Sequence, residues 1–236
     1  MEIGTHPIAG PLEYLNMGDR APIRVTLLDD HQLVLEAIEN RLRSEEHVEV
    51  IGCASSGIEA LAQVIGLQPD VAVVDVDLPG RSAFDLAAEM IRKSPRTRII
   101  FLTGYLSDVL VEQAIRLKVA SYVMKGDPVR LLIEAIQHAA AGQNFFSPQV
   151  ADRLQKDPKT GEHSMSTTNP LAQLSNRQLQ VLQLLANGES VKEVARAMHL
   201  SQKSVDSHKY RIMHKLGIHD RVMLARFAIR EGLTRP

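Results

Sequence analysis

Short apolar runs alternate with amphipathic stretches from Ile23 to about Gly142. The apolar runs are bounded by turn-forming residues, as buried strands are, whereas the stretches between them repeat their apolar residues with a helical period. The predicted strands are 23–28, 48–53, 71–75, 98–102 and 121–124, and the predicted helices are about 32–44, 56–67, 84–93, 107–118 and 128–141. Five strand–helix pairs of this kind predict a parallel sheet covered by helices on both faces.

The pattern changes after Gly142, where a polar segment rich in Ser, Thr, Gly and Pro extends to about Gln173 and is predicted to be a linker. Three amphipathic stretches follow, each opened by a serine, and two of these serines have the spacing of a capping box. The predicted helix starts are Ser175 with Gln178, Ser190 with Glu193, and Ser201, and the predicted ends are Asn187-Gly188, Leu200 and Gly217. A fourth helix is predicted from Asp220.

Charge divides the chain in the same way. The 236 residues are 44% hydrophobic and 23% charged, with a net charge of -1, which suits one large domain or two small ones. Residues 171–236 hold 11 Lys and Arg against 5 Asp and Glu, a net charge of +6, and the remainder holds 16 against 23, a net charge of -7. A basic module beside an acidic body indicates a polyanionic partner for the C-terminal part.

The first residues carry no periodic pattern. Residues 1–21 are interrupted by Gly and Pro and are expected to form a flexible leader, unless translation begins at Met17. No apolar run approaches the roughly 18 residues that span a bilayer, and no signal peptide is evident. The single cysteine, Cys53, excludes a disulfide within the chain. We therefore expect a cytoplasmic protein that is not bound to a membrane.

Polar residues follow the predicted strands of the N-terminal region. They are Asp29 and Asp30 after the first strand, Asp75 at the end of the third, Thr103 after the fourth and Lys125 after the fifth. Ligands of an open parallel sheet bind beyond these strand ends. Three carboxylates in one crevice repel one another, so a cation is expected among them, and Mg²⁺ suits such oxygen ligands. Asp75 is the central carboxylate and therefore the candidate nucleophile toward phosphorus.

Four segments resemble the signature of receiver domains: Leu27-Leu28-Asp29-Asp30-His31, Val74-Asp75-Val76-Asp77-Leu78-Pro79-Gly80, Leu102-Thr103-Gly104 and Tyr122-Val123-Met124-Lys125. The resemblance covers residues 22–141 and implies a flavodoxin-like (βα)5 fold with strand order 2-1-3-4-5. It also implies that a histidine kinase phosphorylates Asp75.

The resemblance assigns further roles at this site. Mg²⁺ would be held by Asp30, Asp75 and the backbone carbonyl of Asp77, with Asp29 assisting through water. Thr103 and Lys125 would contact the phosphoryl group, and Tyr122 would be the switch aromatic that turns inward when the threonine moves.

Two positions depart from the family pattern. Ala83 stands where glycine is common, so a loop that needs positive φ would be strained there. Asp77 adds a carboxylate beside the phosphorylation site, and Tyr105 adds a bulky ring near its entrance. Our hypothesis is that these two side chains tune the lifetime of the phosphoryl group.

The helix predicted from Ser201 places Val205, Ile212 and Leu216 on one apolar stripe and polar residues opposite. A short helix and a tight turn precede it, which is the arrangement of a helix-turn-helix whose second helix enters the major groove. Basic side chains supply phosphate contacts and short polar ones reach base edges. The predicted DNA-binding residues are Lys192, Lys203, Ser204, Asp206, Ser207, Lys209, Tyr210 and Arg211, and Lys215 is a further candidate for a phosphate contact.

Further segments resemble the LuxR-type four-helix DNA-binding domain: 174–178, 188–195, 200–201, 204–208 and 215–217. The chain is therefore similar to response regulators of the NarL/FixJ class, with a receiver at 22–141, a linker at 142–170 and a helix-turn-helix domain at 171–236. The resemblance implies base reading by Asp206, Ser207 and Tyr210. It also implies a homodimer formed through the C-terminal helix, the receiver or both, with DNA half-sites about 10 base pairs apart.

Three alternatives stay open at this point. One keeps the DNA-binding module and makes the receiver a phosphate-independent dimerisation or protein-docking platform. Asp75-Val76-Asp77 also resembles the Asp-x-Asp of haloacid-dehalogenase-type, Mg²⁺-dependent phosphatases, although an enzyme is not expected because an acidic pair already follows the first strand. Finally, the receiver either covers the recognition helix until phosphorylation or acts by dimerisation.

Overall fold

The structure, a computed structural model, describes residues 21–78, 82–104, 106–156, 163–165 and 170–234. Its N-terminal part contains a parallel sheet in the order β2-β1-β3-β4-β5-β6. The strands are β1 Ile23–Leu28, β2 Val48–Ala54, β3 Val71–Asp75, β4 Arg98–Thr103, β5 Ser121–Met124 and β6 Phe145–Phe146. The predicted order 2-1-3-4-5 is confirmed, and β6 extends the sheet by one short edge strand.

Helices cover both faces of this sheet. They are α1 Gln32–Arg43, α2 Gly57–Leu67, α3 Ala83–Lys93, α4 Asp108–Arg116 and α5 Val129–Ala140. One apolar core joins α1 and α5 to the sheet, and the other joins α2, α3 and α4 to the opposite face. Apolar residues fill both faces of the central strands, which explains why these strands are nearly continuous hydrophobic runs.

Two helix boundaries correct the expectations from sequence. Helix α3 begins at Ala83, which is buried, and the described non-glycine residues with positive φ are Gln68, Lys118 and His199. The expectation of strain at Ala83 is therefore wrong, because the residue opens a helix and needs no left-handed backbone. Helix α4 ends at Arg116 rather than 118, because Lys118 has a φ of 57°.

The polar segment after α5 carries regular structure. Besides β6, it contains a short helix, α6 Pro148–Ala151, and two antiparallel strands, β7 Leu154–Lys156 and β8 His163–Met165. The Phe145 N–H donates to the carbonyl of Ala120 at 3.0 Å, and Val150 is fully buried. Strand pairing and a few apolar anchors thus order parts of a segment whose composition indicates a linker.

The C-terminal module consists of four helices: α7 Asn176–Ala186, α8 Val191–Ala197, α9 Gln202–Leu216 and α10 Arg221–Arg230. Both predicted capping boxes form, at Ser175 and at Ser190, and the carboxylate of Asp220 caps α10. Gly217 ends α9 with a φ of 65°. Helix α8 ends before the predicted Leu200, because His199 adopts a left-handed backbone with a φ of 52°. In the described part of the chain no helix is both long and apolar enough to cross a bilayer.

Candidate functional site

The carboxyl ends of β1, β3, β4 and β5 bring the predicted site residues together. Asp75 ends β3 and is fully buried, Asp29 follows β1 with 3% of its surface exposed, and Asp30 beside it is exposed. One ligand atom from each of Asp29, Asp30, His31 and Asp75 can be chosen so that all four lie within 4.8 Å of one another. The parallel topology therefore builds a carboxylate pocket at this edge of the sheet.

Lys125 holds this pocket together. Its Nζ lies 2.6 Å from Oδ2 of Asp29 and 2.9 Å from Oδ2 of Asp75. Burial lowers the pKa of Lys125, but hydrogen bonds and charge interactions with the two carboxylates outweigh it and raise the pKa above its ordinary value. Burial raises the pKa of Asp75 to about 6, against the opposing effect of Lys125. The pocket thus keeps a desolvated carboxylate beside an ammonium group that is paired with it.

The donor set fits a small divalent cation. Carboxylate oxygens are the ligands that Mg²⁺ prefers, and one exposed carboxylate leaves room for the waters that Mg²⁺ retains. The backbone N–H of Asp77 donates to Oδ1 of Asp75 at 3.1 Å, which places Asp77 beside the same carboxylate. A metal role for the Asp77 carbonyl stays a prediction.

Thr103 and Tyr122 lie deeper in the same region. Thr103 ends β4 and is fully buried, and Tyr122 on β5 is also fully buried, with its ring 6.2 Å from that of Phe101. Burial raises the pKa of Tyr122. The aromatic side chain is therefore enclosed in the core rather than half-exposed on a strand. Tyr105 and the Pro79-Gly80 pair lie outside the described residues.

The structure adds His31 to the pocket, to which sequence reasoning assigned no role. His31 lies between β1 and α1, and its Nδ1 is 3.1 Å from Oδ1 of Asp30 and 3.3 Å from Oδ1 of Asp29. The available signal was its place directly after the acidic pair, where the chain turns back over the strand end.

Helix α9 presents the predicted DNA-binding face to solvent. Val205 and Ile212 are fully buried in the module, whereas the side chains opposite them are exposed, and Tyr210 has 70% of its surface exposed. The exposed predicted residues are Lys192, Lys203, Asp206, Ser207, Tyr210 and Arg211, and the half-buried ones are Ser204 and Lys209. The polar face is therefore accessible in this arrangement.

Two lysines of α9 are engaged within the module. Nζ of Lys209 lies 2.7 Å from Oδ1 of Asp206, so this pair presents little net charge. Nζ of Lys215 donates to the carbonyl of Gln173 at 2.7 Å and to Oε1 of Gln178 at 2.9 Å. Lys215 therefore fastens α9 to the start of α7, and this contact competes with its predicted phosphate contact.

Helix α7 lies against the carboxylate pocket. Nε2 of Gln183 donates to Oδ1 of Asp77 at 3.0 Å, and Nδ2 of Asn176 donates to Oδ1 of Asp85 at 3.0 Å. The segment after α10 also lies close to the N-terminal part, because a Cβ added to Gly232 would be 3.1 Å from the carbonyl oxygen of Leu106. No sequence pattern indicated these contacts, since amides on a helix surface are common. The arrangement covers the pocket and leaves the polar face of α9 open.

A cavity of about 580 Å³ remains between the two modules. Its lining includes Asp30, Asp77 and Lys125 on one side and Leu179, Gln183 and Thr234 on the other. The carboxylate pocket therefore opens into a space shared with the C-terminal module.

Comparisons with known proteins agree with this architecture. A family model described as the response regulator receiver domain matches residues 25–137, and one described as bacterial regulatory proteins of the luxR family matches residues 172–228. The response regulator GacA of Pseudomonas aeruginosa is 32% identical over 213 residues, which cover 90% of this chain and 98% of that protein. The chain belongs to the response regulators of the NarL/FixJ class.

Other relatives of this response regulator span its whole two-module architecture. The oxygen regulatory protein NreC of Staphylococcus carnosus is 30% identical over 214 residues, covering 89% of this chain and 99% of that protein. RcsB of Salmonella enterica serovar Typhimurium, solved bound to the promoter rprA in the presence of the phosphomimetic BeF3-, has a TM-score of 0.64 and 25% identity. That match covers 87% of this chain and 98% of the RcsB chain.

The family excludes one of the alternatives left open by the sequence, the phosphatase. Both matched domains are regulatory, and the relatives are response regulators rather than phosphatases. The response regulator is accordingly a regulator with a receiver and a LuxR-type DNA-binding domain, not an enzyme. Its Asp-x-Asp pair begins at the last residue of β3, and a second acidic pair follows β1.

Proposed function

We propose that Asp75 accepts a phosphoryl group from a histidine kinase and that this modification controls DNA binding by the C-terminal module. The observation that carries the proposal is the fully buried carboxylate of Asp75, which lies 2.9 Å from Nζ of Lys125 inside a pocket of further carboxylates. Desolvation of a carboxylate is costly, so such a pocket is difficult to explain as a purely structural feature.

The residues of the pocket divide the chemistry among them. An oxygen of Asp75 attacks the phosphorus of phosphohistidine, the phosphorus–nitrogen bond breaks, and the electron pair leaves with the imidazole. Asp29, Asp30, Asp75 and the Asp77 carbonyl would hold Mg²⁺, which when bound offsets negative charge on the transferred oxygens. Lys125 and Thr103 contact the phosphoryl group, because both side chains lie at neighbouring strand ends.

Thr103 and Tyr122 are the residues that we propose to respond to the modification. Thr103 pairs with Met124 across β4 and β5, and Tyr122 lies two residues earlier on β5. A phosphoryl group that draws Thr103 toward it changes the space beside Tyr122, whose ring is already enclosed by the core. We assign Tyr122 the role of switch aromatic on this basis.

The C-terminal module then reads DNA through α9. Lys192, Lys203 and Arg211 contact phosphates, which supplies affinity without sequence preference. Lys209 joins them when DNA separates it from Asp206, with which it is paired in the free protein. Ser204, Asp206, Ser207 and Tyr210 face the base edges, and Asp206 accepts a hydrogen bond from cytosine N4. Binding to a genomic promoter places this activity in the cytoplasm.

A homodimer completes the DNA-binding unit. Val222 and Met223 are adjacent on α10 and have 66% and 61% of their surfaces exposed, so two neighbouring apolar side chains face solvent. Pairing of α10 from two copies buries this surface and sets two recognition helices on half-sites about 10 base pairs apart. Contact between the two receivers is the second route to the same dimer.

Phosphorylation shifts the arrangement of the two modules. The Gln183 amide bonds to Asp77, two residues after Asp75, so a change of charge at the phosphoacceptor acts directly on the contact that holds α7. The modules are then released from one another or presented to a second copy.

Mass spectrometry of the full chain tests the central step. Incubation with phosphoramidate and Mg²⁺ is expected to add one phosphoryl group to the wild type and to Asp152→Asn, an exposed control, but none to Asp75→Asn. Modification of Asp75→Asn to the same extent as the wild type would contradict the assignment.

A further inference from the structure

The imidazole of His31 faces the carboxylates of the pocket. Its Nδ1 lies 3.1 Å from Oδ1 of Asp30 and 3.3 Å from Oδ1 of Asp29, and its backbone N–H donates to Oδ1 of Asp29 at 2.9 Å. This backbone hydrogen bond fixes the position of the His31 main chain beside the pocket. His31 also lines the cavity beneath α7. Nδ1 can coordinate a cation held by these carboxylates in the tautomer that carries the ring proton on Nε2, so metal binding replaces the contact that Nδ1 now makes with the two carboxylates.

Four side chains form one donor set. Ligand atoms of Asp29, Asp30, His31 and Asp75 all lie within 4.8 Å of one another. Two ligands bound to one ion at about 2.1 Å each are separated by no more than about 4.2 Å, so a small contraction brings this set to coordination distance. Lys125 now lies between two of these carboxylates, and its flexible stem lets the ammonium move aside.

A nitrogen donor changes which ions the site prefers. Carboxylates, carbonyls and water suit Mg²⁺, whereas imidazole suits Fe²⁺, Ni²⁺ and Zn²⁺, whose affinities for nitrogen-containing sites exceed those of Mg²⁺. We propose that His31 is a nitrogen ligand of the carboxylate site and that the receiver therefore binds a divalent transition ion in competition with Mg²⁺. This inference rests on the cation site of the proposed function and adds His31 and the ion class to it.

Cation binding to the full-length protein tests the inference with Co²⁺ as the probe. Calorimetric titration in the absence of Mg²⁺, repeated with Mg²⁺ as competitor, isolates the binding step that belongs to the carboxylate pocket. In His31→Gln and in His31→Ala, we expect the Co²⁺ affinity of this step to fall at least about tenfold. Mg²⁺ affinity is expected to change by less than about twofold, because Mg²⁺ is held by oxygen.

Two control variants show whether the measured binding step belongs to the carboxylate pocket. His219→Gln removes an exposed histidine of the loop before α10 and is expected to leave the Mg²⁺-competed step unchanged. Asp75→Asn removes a carboxylate of the pocket and is expected to weaken Co²⁺ and Mg²⁺ together. The visible absorption of bound Co²⁺ supplies a second readout, because loss of a nitrogen ligand shifts it in His31→Gln.

The outcomes separate this inference from the proposed function. Equal Co²⁺ affinity in wild type and both His31 variants, or an equal loss of Co²⁺ and Mg²⁺, would overturn the nitrogen ligand while leaving a Mg²⁺ site. Absence of any Mg²⁺ binding that depends on Asp75 would overturn the inference together with the cation site of the proposed function.

Discussion

At the scale of single residues, the buried carboxylate of Asp75 lowers the stability of the folded state and supplies the reactive group of the pocket. Asp75 is fully buried, and burial raises its pKa from 3.8 to about 6 even though Lys125 lies 2.9 Å away. The folded state therefore binds the proton of Asp75 more tightly than the unfolded state does. Its contribution to stability is present at low pH and is lost as the pH rises through about 6.

Replacement of Asp75 by asparagine should therefore stabilise the protein at high pH. In the presence of a chelator at pH 8, we expect Asp75→Asn to raise the free energy of unfolding by about 1–3 kcal/mol, since one pKa unit corresponds to about 1.4 kcal/mol. The gain should diminish below about pH 6, where the folded wild type is protonated. Urea unfolding at several pH values measures it beside Asp152→Asn, and a gain independent of pH would contradict this explanation.

At the scale of secondary structure, the capping residues set where the helices of the C-terminal module begin. The hydroxyl of Ser175 accepts from the Gln178 N–H, and Oε1 of Gln178 accepts from the Ser175 N–H. Gln178 also accepts from Lys215, so this cap links α7 to α9. A change at one helix start therefore affects the packing of the DNA-binding helix.

Removal of this cap should weaken the module. We expect Ser175→Ala to lower the free energy of unfolding by about 1 kcal/mol, and Ser175→Asp to retain most of it, because aspartate also caps helices. Thermal unfolding followed by circular dichroism compares the two variants. An equal loss in both would argue against a capping role.

Lys203 and Lys215 provide a matched pair on α9. Lys203 is exposed, whereas Nζ of Lys215 is bonded to Gln173 and Gln178. We expect Lys203→Ala to reduce the slope of log affinity against log salt by about 1 on duplex DNA. Lys215→Ala is expected to lower stability and to leave that slope unchanged; a reduced slope would place Lys215 on the phosphates.

At this scale, the strength of each local pattern decides which elements the sequence predicts. Strands β3 and β4 are apolar between their ends, and their last residues belong to the pocket, so both fold and pocket could be predicted from pattern and resemblance. Strands β6, β7 and β8 have two or three residues each in a polar segment, too few to show a period. The place of His31 in the pocket could not be predicted, because one histidine beside two aspartates has many structural explanations.

At the scale of the whole molecule, α7 covers the carboxylate pocket while α9 stays open to solvent. The apolar cluster on the α3 and α4 face continues into the C-terminal module, and two amide–carboxylate hydrogen bonds cross between them. These contacts join residues about a hundred positions apart through side chains with no distinctive pattern, so the sequence gives no sign of them. In this arrangement α7 restricts access to Asp75, whereas the polar face of α9 stays accessible to DNA.

Charge repulsion should separate α7 from the carboxylate pocket. We expect the double variant Asn176→Asp and Gln183→Glu to increase the radius of gyration in small-angle scattering, because each new carboxylate faces Asp85 or Asp77. Affinity for duplex DNA should change little, since the polar face of α9 is already exposed. Asn40→Asp on α1 is the control. A strong gain in DNA affinity on opening would mean that the closed arrangement hides the DNA surface.

The most direct test measures DNA affinity with and without phosphodonor. A duplex selected from random sequence by the full-length protein is titrated with wild type and Asp75→Asn, each in Mg²⁺ with or without phosphoramidate. Because α9 is already exposed, the gain on phosphorylation must come from dimerisation. We expect phosphodonor to tighten binding of the wild type by at least about fivefold, a typical coupling between two sites, and to leave Asp75→Asn unchanged. Equal affinity of phosphorylated and unphosphorylated wild type would contradict phosphorylation-controlled DNA binding.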